Sequence, residues 1–146
     1  MGHSRLSQRS AAAFASHPVL AYTCSIVKKR ILFIDDDYAY REVMSEVLEF
    51  AGYGVVAEGS AEKAVDLFLE DPARFDVVLT DLVMPGMAGD VLSERIHAVR
   101  PDVPVVVITG FPDSITPERA GVAGIRKILS KTLSRRELFS ALEEVG

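Results

Sequence analysis

The chain has 146 residues, of which 49% are hydrophobic and 25% charged, so it is long enough for one well-packed globular domain and too short for two ordinary ones. Residues 1–30 carry a net charge of +5 and residues 31–146 a net charge of −10. An acidic globule repels a phosphate backbone, which argues against nucleic-acid binding. The single cysteine, Cys24, excludes an internal disulfide and fits a reducing cytosol, so we expect a cytoplasmic protein.

The N-terminal residues 1–28 are rich in serine and alanine and show no helical or alternating period. Arg5 and Arg9 precede an apolar patch, as in a targeting peptide, but Pro18 interrupts that patch. We therefore predict a poorly ordered extension at 1–28, followed by one domain at 29–146. No stretch approaches the roughly 18 apolar residues of a membrane span, so we expect no membrane insertion.

From residue 29 onward, predicted strands alternate with predicted helices five times. The strands are rich in valine and isoleucine and are predicted at residues 29–34, 53–58, 75–81, 103–108 and 125–130. Short apolar runs of this kind are typical of strands buried on both faces, as in a parallel sheet. The pattern predicts an α/β fold: a flavodoxin-like, doubly wound, five-stranded parallel sheet of order 2-1-3-4-5 with helices on both faces.

Capping residues and apolar spacing locate the helices. The first is predicted at residues 38–51, with Val43, Leu48 and Phe50 recurring near the helical period. Ser60 begins the second helix and the third spans residues 88–99. The fourth follows Thr116 with proline at its first position, and the fifth follows a Ser-x-x-Glu capping box that begins at residue 134.

Polar side chains stand at the ends of four predicted strands. Asp35 and Asp36 follow the first strand, Asp81 ends the third, Thr109 follows the fourth and Lys131 follows the fifth. The carboxyl ends of parallel strands share one edge of a sheet, so we expect these side chains to converge. Three neighbouring carboxylates require a cation, and oxygen ligands favour Mg²⁺ over zinc. A lysine and a hydroxyl beside such a carboxylate suit a phosphoryl group carried on it.

Four motifs, IDDD, LTDLVMPGMAG, VVVITG and LSK, together make residues 30–146 resemble the receiver domain of two-component response regulators. The resemblance implies that Asp81 is the phosphoacceptor and that Thr109 and Lys131 hold the phosphoryl oxygens. It implies Mg²⁺ as the cofactor, held by Asp35, Asp36, Asp81 and the main-chain carbonyl of Val83. Asp37 has no role in this resemblance, and we expect it to cap the following helix.

The same resemblance implies partners and a role in signalling. The phosphoryl donor would be a histidine kinase or a histidine phosphotransfer protein, and the downstream effector is not readable from the sequence. The protein would phosphorylate and dephosphorylate itself without turning over an external substrate. Residues 109–131 resemble receivers at the C-termini of hybrid histidine kinases. We expect no output domain after Gly146, and we therefore expect function to pass through a partner surface. The face of helix 4, strand 5 and helix 5 could also form a homodimer.

Two positions depart from the family pattern. Thr132 follows the lysine where the family usually has a proline, and Ile128 stands where an aromatic switch residue is common. We therefore expect the catalytic set to be intact but the signal to run without an aromatic switch. In the family, the side chains at the positions of Val83 and Phe111 border the path by which water reaches the phosphorus. The apolar side chains of Val83 and Phe111 cannot orient that water by hydrogen bonds, so we predict a long-lived phosphorylated state.

Three other functions remain as alternatives. A haloacid-dehalogenase-like phosphatase also uses a strand-end aspartate, but its motif requires threonine or valine where this chain has Ala39. A flavodoxin would have a phosphate loop rich in serine, threonine and glycine instead of three aspartates. A pseudo-receiver that takes no phosphate and acts only as a protein interaction module remains open because of Thr132 and Ile128.

Overall fold

The computed structural model describes residues 27–146. The predicted extension at 1–28 lies outside the described residues except for its last two positions, so its order stays a prediction. Within the described range, no helix combines the length and the apolar character that crossing a membrane would require.

Five parallel strands form one sheet in the order β2-β1-β3-β4-β5. Their bounds are β1 Arg30–Ile34, β2 Gly54–Glu58, β3 Val77–Thr80, β4 Val105–Thr109 and β5 Ile125–Ser130. The predicted fold class and strand order are confirmed. The third strand is shorter than predicted, and Asp81 lies just beyond it in the loop, where its side chain is free to face the edge of the sheet.

Among residues 27–146, five α-helices and one short 3₁₀ helix connect and flank the strands. The helices are α1 Tyr38–Phe50, α2 Ala61–Glu70, α3 Gly89–His97, α4 Pro117–Ala123 and α5 Arg135–Val145, and the 3₁₀ helix, absent from the sequence prediction, is Pro112–Ser114. The side chain of Asp37 accepts a hydrogen bond from the Tyr40 amide, which confirms its predicted capping role. Ser134 and Glu137 form the predicted capping box.

Helices cover both faces of the sheet, and the alternation of side chains along each strand divides the core in two. In β1, Ile31 and Phe33 pack against α1 and α5, whereas Leu32 and Ile34 pack against α2 and α3. All four side chains are fully buried. The strands therefore form a rigid platform, and their carboxyl ends meet at one edge.

The predicted inner face of α1 is partly wrong. Leu48 is fully buried, but Val43 is 61% exposed and Phe50 is 94% exposed. The helix touches the sheet along a narrow stripe, so residues near the helical period but displaced around the axis remain in solvent. Val99, the last residue of the predicted third helix, lies beyond the end of α3 and is about half exposed.

Candidate functional site at the carboxyl edge of the sheet

Backbone hydrogen bonds extend the sheet by one residue at two strands and so fix two of the acidic residues. The amide of Asp35 donates to the carbonyl of Glu58 (3.2 Å), and the amide of Asp81 donates to the carbonyl of Ile34 (2.9 Å). Asp35 is fully buried, Asp81 is 7% exposed and the neighbouring Asp36 is exposed. One carboxylate oxygen from each of the three lies within 4.8 Å of the others.

The backbone also orients the carboxylates themselves. Asp81 Oδ1 accepts a hydrogen bond from the amide of Leu82 (2.7 Å), and Asp35 Oδ1 accepts one from the amide of Asp37 (2.9 Å). Behind the Asp81 loop, the first residue of α3 is Gly89, where a Cβ atom would collide with the Asp81 carbonyl oxygen. These contacts leave the second oxygen of each carboxylate facing the site.

Lys131 places an ammonium group between those two remaining oxygens. Its Nζ is 2.8 Å from Asp35 Oδ2 and 3.2 Å from Asp81 Oδ2. Burial lowers the pKa of Lys131, but the two carboxylates outweigh burial and the pKa is raised overall. The lysine is therefore charged and serves as an internal counter-ion for the acidic cluster.

Asp35 is the most deeply buried of the acidic groups. Burial raises the pKa of Asp35, while its contacts with Lys131 and with the Asp37 amide act in the opposite direction. Its Oδ2 atom is buried and has an ion-pair contact but no well-aligned hydrogen bond among residues 27–146. An all-oxygen donor set with one under-coordinated buried oxygen fits a hard cation such as Mg²⁺.

The remaining predicted residues surround this centre. Thr109 ends β4 and is fully buried; its hydroxyl accepts a hydrogen bond from the Phe111 amide (3.1 Å), which leaves the hydroxyl proton free to donate. The amide of Lys131 donates to the Thr109 carbonyl (2.9 Å), which joins the two strand ends. Val83 lies two residues after Asp81 with its side chain 54% exposed.

The two departures from the family pattern lie next to this site. The bond between Lys131 and Thr132 is trans, and the Thr132 amide donates to the Ser130 hydroxyl (3.2 Å), which a proline could not do. The ammonium of Lys131 reaches both carboxylates with threonine at this position. Ile128 lies in β5, paired with Val107, and is half-buried.

Two side chains on α1 also contact this site, and neither was predicted from the sequence. The ring of Tyr40 lies under the Lys131 ammonium, with Nζ 4.4 Å from the ring centroid. Arg41 Nη1 donates to the main-chain carbonyl of Asp35 (2.7 Å). Their position in the first turn of the helix after the acidic pair was an available signal, because side chains there point back toward the helix N-terminus.

The family described as the response regulator receiver domain matches residues 31–143. This chain belongs to that family. The response regulator receiver protein CpdR of Brucella abortus is 37% identical over 123 residues, which cover 80% of this chain and 96% of CpdR. A receiver domain protein of Methanospirillum hungatei has a similar solved structure, with a TM-score of 0.70 and 30% identity over 80% of this chain and 91% of that one.

Other relatives are longer than this chain. The sensory/regulatory protein RpfC of Xanthomonas campestris is 31% identical over 138 residues, which are 90% of this chain but only 18% of RpfC. The response regulator MprA of Mycolicibacterium vanbaalenii is 34% identical over 114 residues, or 48% of its length. The receiver domain thus occurs both nearly alone and as part of larger proteins. Receiver domains are signalling domains and not turnover enzymes.

Proposed function

We propose that this receiver domain takes a phosphoryl group from a histidine kinase or a histidine phosphotransfer protein onto Asp81. A carboxylate oxygen of Asp81 would form the new bond to phosphorus as the bond from phosphorus to the donor's histidine nitrogen breaks. The observation that carries this proposal is the arrangement of Asp81 with Asp35, Asp36 and Lys131: three carboxylates with oxygens within 4.8 Å and an ammonium in contact with two of them.

Mg²⁺ is the proposed cofactor. Asp35, Asp36 and Asp81 would hold it, together with the main-chain carbonyl of Val83. When bound, the ion would neutralise charge on the oxygens of the transferred group. The chain's own residues supply the rest: Lys131 is already beside Asp81 Oδ2, and the Thr109 hydroxyl has a proton to donate to a phosphoryl oxygen.

The partner surface is proposed to surround the opening of the site. Tyr38, Val83 and Phe111 are 67%, 54% and 64% exposed, and they lie on three different loops or helix ends at the carboxyl edge of the sheet. Exposed apolar side chains around a reactive group are typical of protein-binding sites. A phosphodonor protein bound there would bring its histidine to Asp81. The proposed output face is α4, β5 and α5, with a homodimer as one use of it.

The proposal is tested by incubating the protein with a small acyl phosphate and Mg²⁺ and measuring its mass. We expect one phosphoryl adduct in the wild type and none in Asp81→Asn or when the metal is chelated. Asp76→Asn is the matched control, because Asp76 precedes the same strand at the opposite edge of the sheet, where it pairs with Arg30. It should form the adduct normally.

An adduct of equal yield in Asp81→Asn would refute the assignment of the phosphoacceptor. No adduct on the wild type, either from the acyl phosphate or from histidine kinases of the source organism, would favour the pseudo-receiver alternative. In that case the domain would act only through protein binding.

A further inference from the structure

The aromatic ring of Tyr40, in α1, lies next to the ammonium group of Lys131. The Lys131 ammonium lies 4.4 Å from the ring centroid, well within the ~6 Å range of a cation–π contact. The same ammonium contacts Asp35 and Asp81. One lysine side chain is therefore fixed at once by an aromatic ring and by two carboxylates.

The hydroxyl group of Tyr40 takes no part in this arrangement. Its Oη atom is buried and has no hydrogen-bond partner among the described residues. Burial raises the pKa of Tyr40 to about 12, so the phenol is not ionised near neutral pH. A buried hydroxyl without a partner is unfavourable. The ring, not the hydroxyl, is thus the part of this side chain that the site can use.

We propose that Tyr40 is a positioning residue for phosphoryl transfer, whose ring holds the ammonium of Lys131 beside Asp81. This inference rests on the proposed function. The long stem of a lysine is flexible, so an ammonium that is not held must be ordered during the reaction. A metal ion among the carboxylates would also compete with the ammonium for their oxygens, and the ring contact would keep the lysine in reach.

The alternative role for Tyr40 is packing alone, because its ring also makes a T-shaped contact with the ring of Phe33, at 6.4 Å between centroids. Three variants separate the two roles. Tyr40→Phe keeps the ring and removes the unpartnered hydroxyl, whereas Tyr40→Leu keeps an apolar side chain and removes the ring. Met44→Ala is the matched packing control, since Met44 lies one turn further along α1 against the same core.

The first measurement is the rate of adduct formation from a small acyl phosphate at saturating Mg²⁺. We expect Tyr40→Phe to react within about twofold of the wild type and Tyr40→Leu about fivefold more slowly, which corresponds to ~1 kcal/mol. Met44→Ala should lower the melting temperature without changing the rate. A pure packing role predicts instead that the rate follows stability in all three variants.

The second measurement reports on how firmly the Lys131 ammonium is held, and it needs no phosphodonor. The ¹⁵N NMR signal of the Lys131 ammonium, assigned by its loss in Lys131→Met, should be retained in Tyr40→Phe. In Tyr40→Leu it should broaden or disappear through faster exchange with water. This readout reports on the position of the ammonium and is independent of phosphorylation.

Wild-type behaviour of Tyr40→Leu in both measurements would overturn the inference. So would an equal slowing in Tyr40→Phe and Tyr40→Leu, which would assign the effect to the hydroxyl. A wild type that forms no adduct would overturn the proposed function, and the two failures can be told apart because the ammonium signal needs no phosphodonor.

Discussion

Removal of the Lys131 ammonium should destabilise the protein in the absence of metal, because it leaves Asp35 buried without a counter-ion. The Nζ atom is 2.8 Å from Asp35 Oδ2, and the lysine side chain is 22% exposed. At an effective dielectric constant of ~20, the attraction at that distance is about 6 kcal/mol, and desolvation of the two ions offsets part of it. Loss of one partner from a buried pair typically costs ~3–5 kcal/mol. Since water can enter the vacated space, we expect Lys131→Met to lose about 3 kcal/mol.

The assay is urea denaturation at pH 8 in metal-free buffer, with Lys127→Met as the matched control. Lys127 lies in β5, the strand that Lys131 directly follows. Its ion pair with Glu144 is more exposed, with side chains that are 34% and 60% exposed. Such a pair contributes less than ~1 kcal/mol, so the control should unfold almost as the wild type does. Mg²⁺ should then restore stability to Lys131→Met more strongly than to the wild type, because the cluster it enters is more negative.

The pH dependence gives an independent check on the same variant. Burial already raises the pKa of Asp35, and without the lysine it should rise further. A carboxyl whose pKa is raised by folding binds more protons in the native state, so stability falls as pH rises from its unfolded pKa toward its folded pKa. The deficit of Lys131→Met should therefore shrink on going from pH 8 to pH 5.5. A variant as stable as the wild type at pH 8 without metal would refute this reasoning.

Three further predictions concern the metal, the switch and the lifetime of the phosphorylated state. Mg²⁺ should raise the melting temperature of the wild type. Replacement of the exposed Asp36 by alanine should weaken Mg²⁺ binding, measured by calorimetry, and leave the metal-free protein at least as stable as the wild type. A clearly less stable metal-free Asp36→Ala variant would mean that Asp36 is structural. Ile128→Ala should cost about 1–2 kcal/mol of stability but keep the phosphorylation-induced NMR shifts at Thr109 and Phe111; their loss would make Ile128 the switch. Val83→Asn and Phe111→Glu should each speed dephosphorylation, and together more than either alone; a wild type that already decays as fast as the double variant would contradict this.

The position of the acidic site could be predicted because it depends mainly on topology. Once the strands are parallel and ordered 2-1-3-4-5, the residues that end β4 or directly follow β1, β3 and β5 must meet at one edge. No side-chain packing has to be known for that conclusion. The capping role of Asp37 was predictable because it depends on a local hydrogen bond, between residues only three positions apart in the sequence.

The features that sequence analysis missed depend on packing between distant elements. The exposed faces of Val43 and Phe50 follow from where α1 touches the sheet, which helical spacing alone does not determine. The contact between Tyr40 and Lys131 joins residues 91 positions apart, on α1 and after β5. The ammonium's closer approach to Asp35 than to Asp81 likewise depends on the depth of each carboxylate.

The geometry around Thr109 explains how a signal could leave the site without an aromatic residue at position 128. The Lys131 amide is hydrogen-bonded to the Thr109 carbonyl, and the Thr109 hydroxyl is hydrogen-bonded to the Phe111 amide. A phosphoryl group that draws in the lysine and the threonine hydroxyl would therefore act on both strand ends and on the loop that begins at Gly110.

Beyond that loop, ion pairs and a hydrogen bond hold α4 against α3. Arg119 makes a two-pronged ion pair with Glu94, at 2.9 and 3.0 Å, and a third contact with Asp90 at 2.8 Å. The Ser93 hydroxyl donates to the Ala123 carbonyl at the other end of α4. Because both ends of α4 are held, we expect phosphorylation to move mainly the exposed loop between β4 and α4. The partner would then read the new position of Phe111 and its neighbours beside the proposed output face of α4, β5 and α5, while α4 itself stays in place.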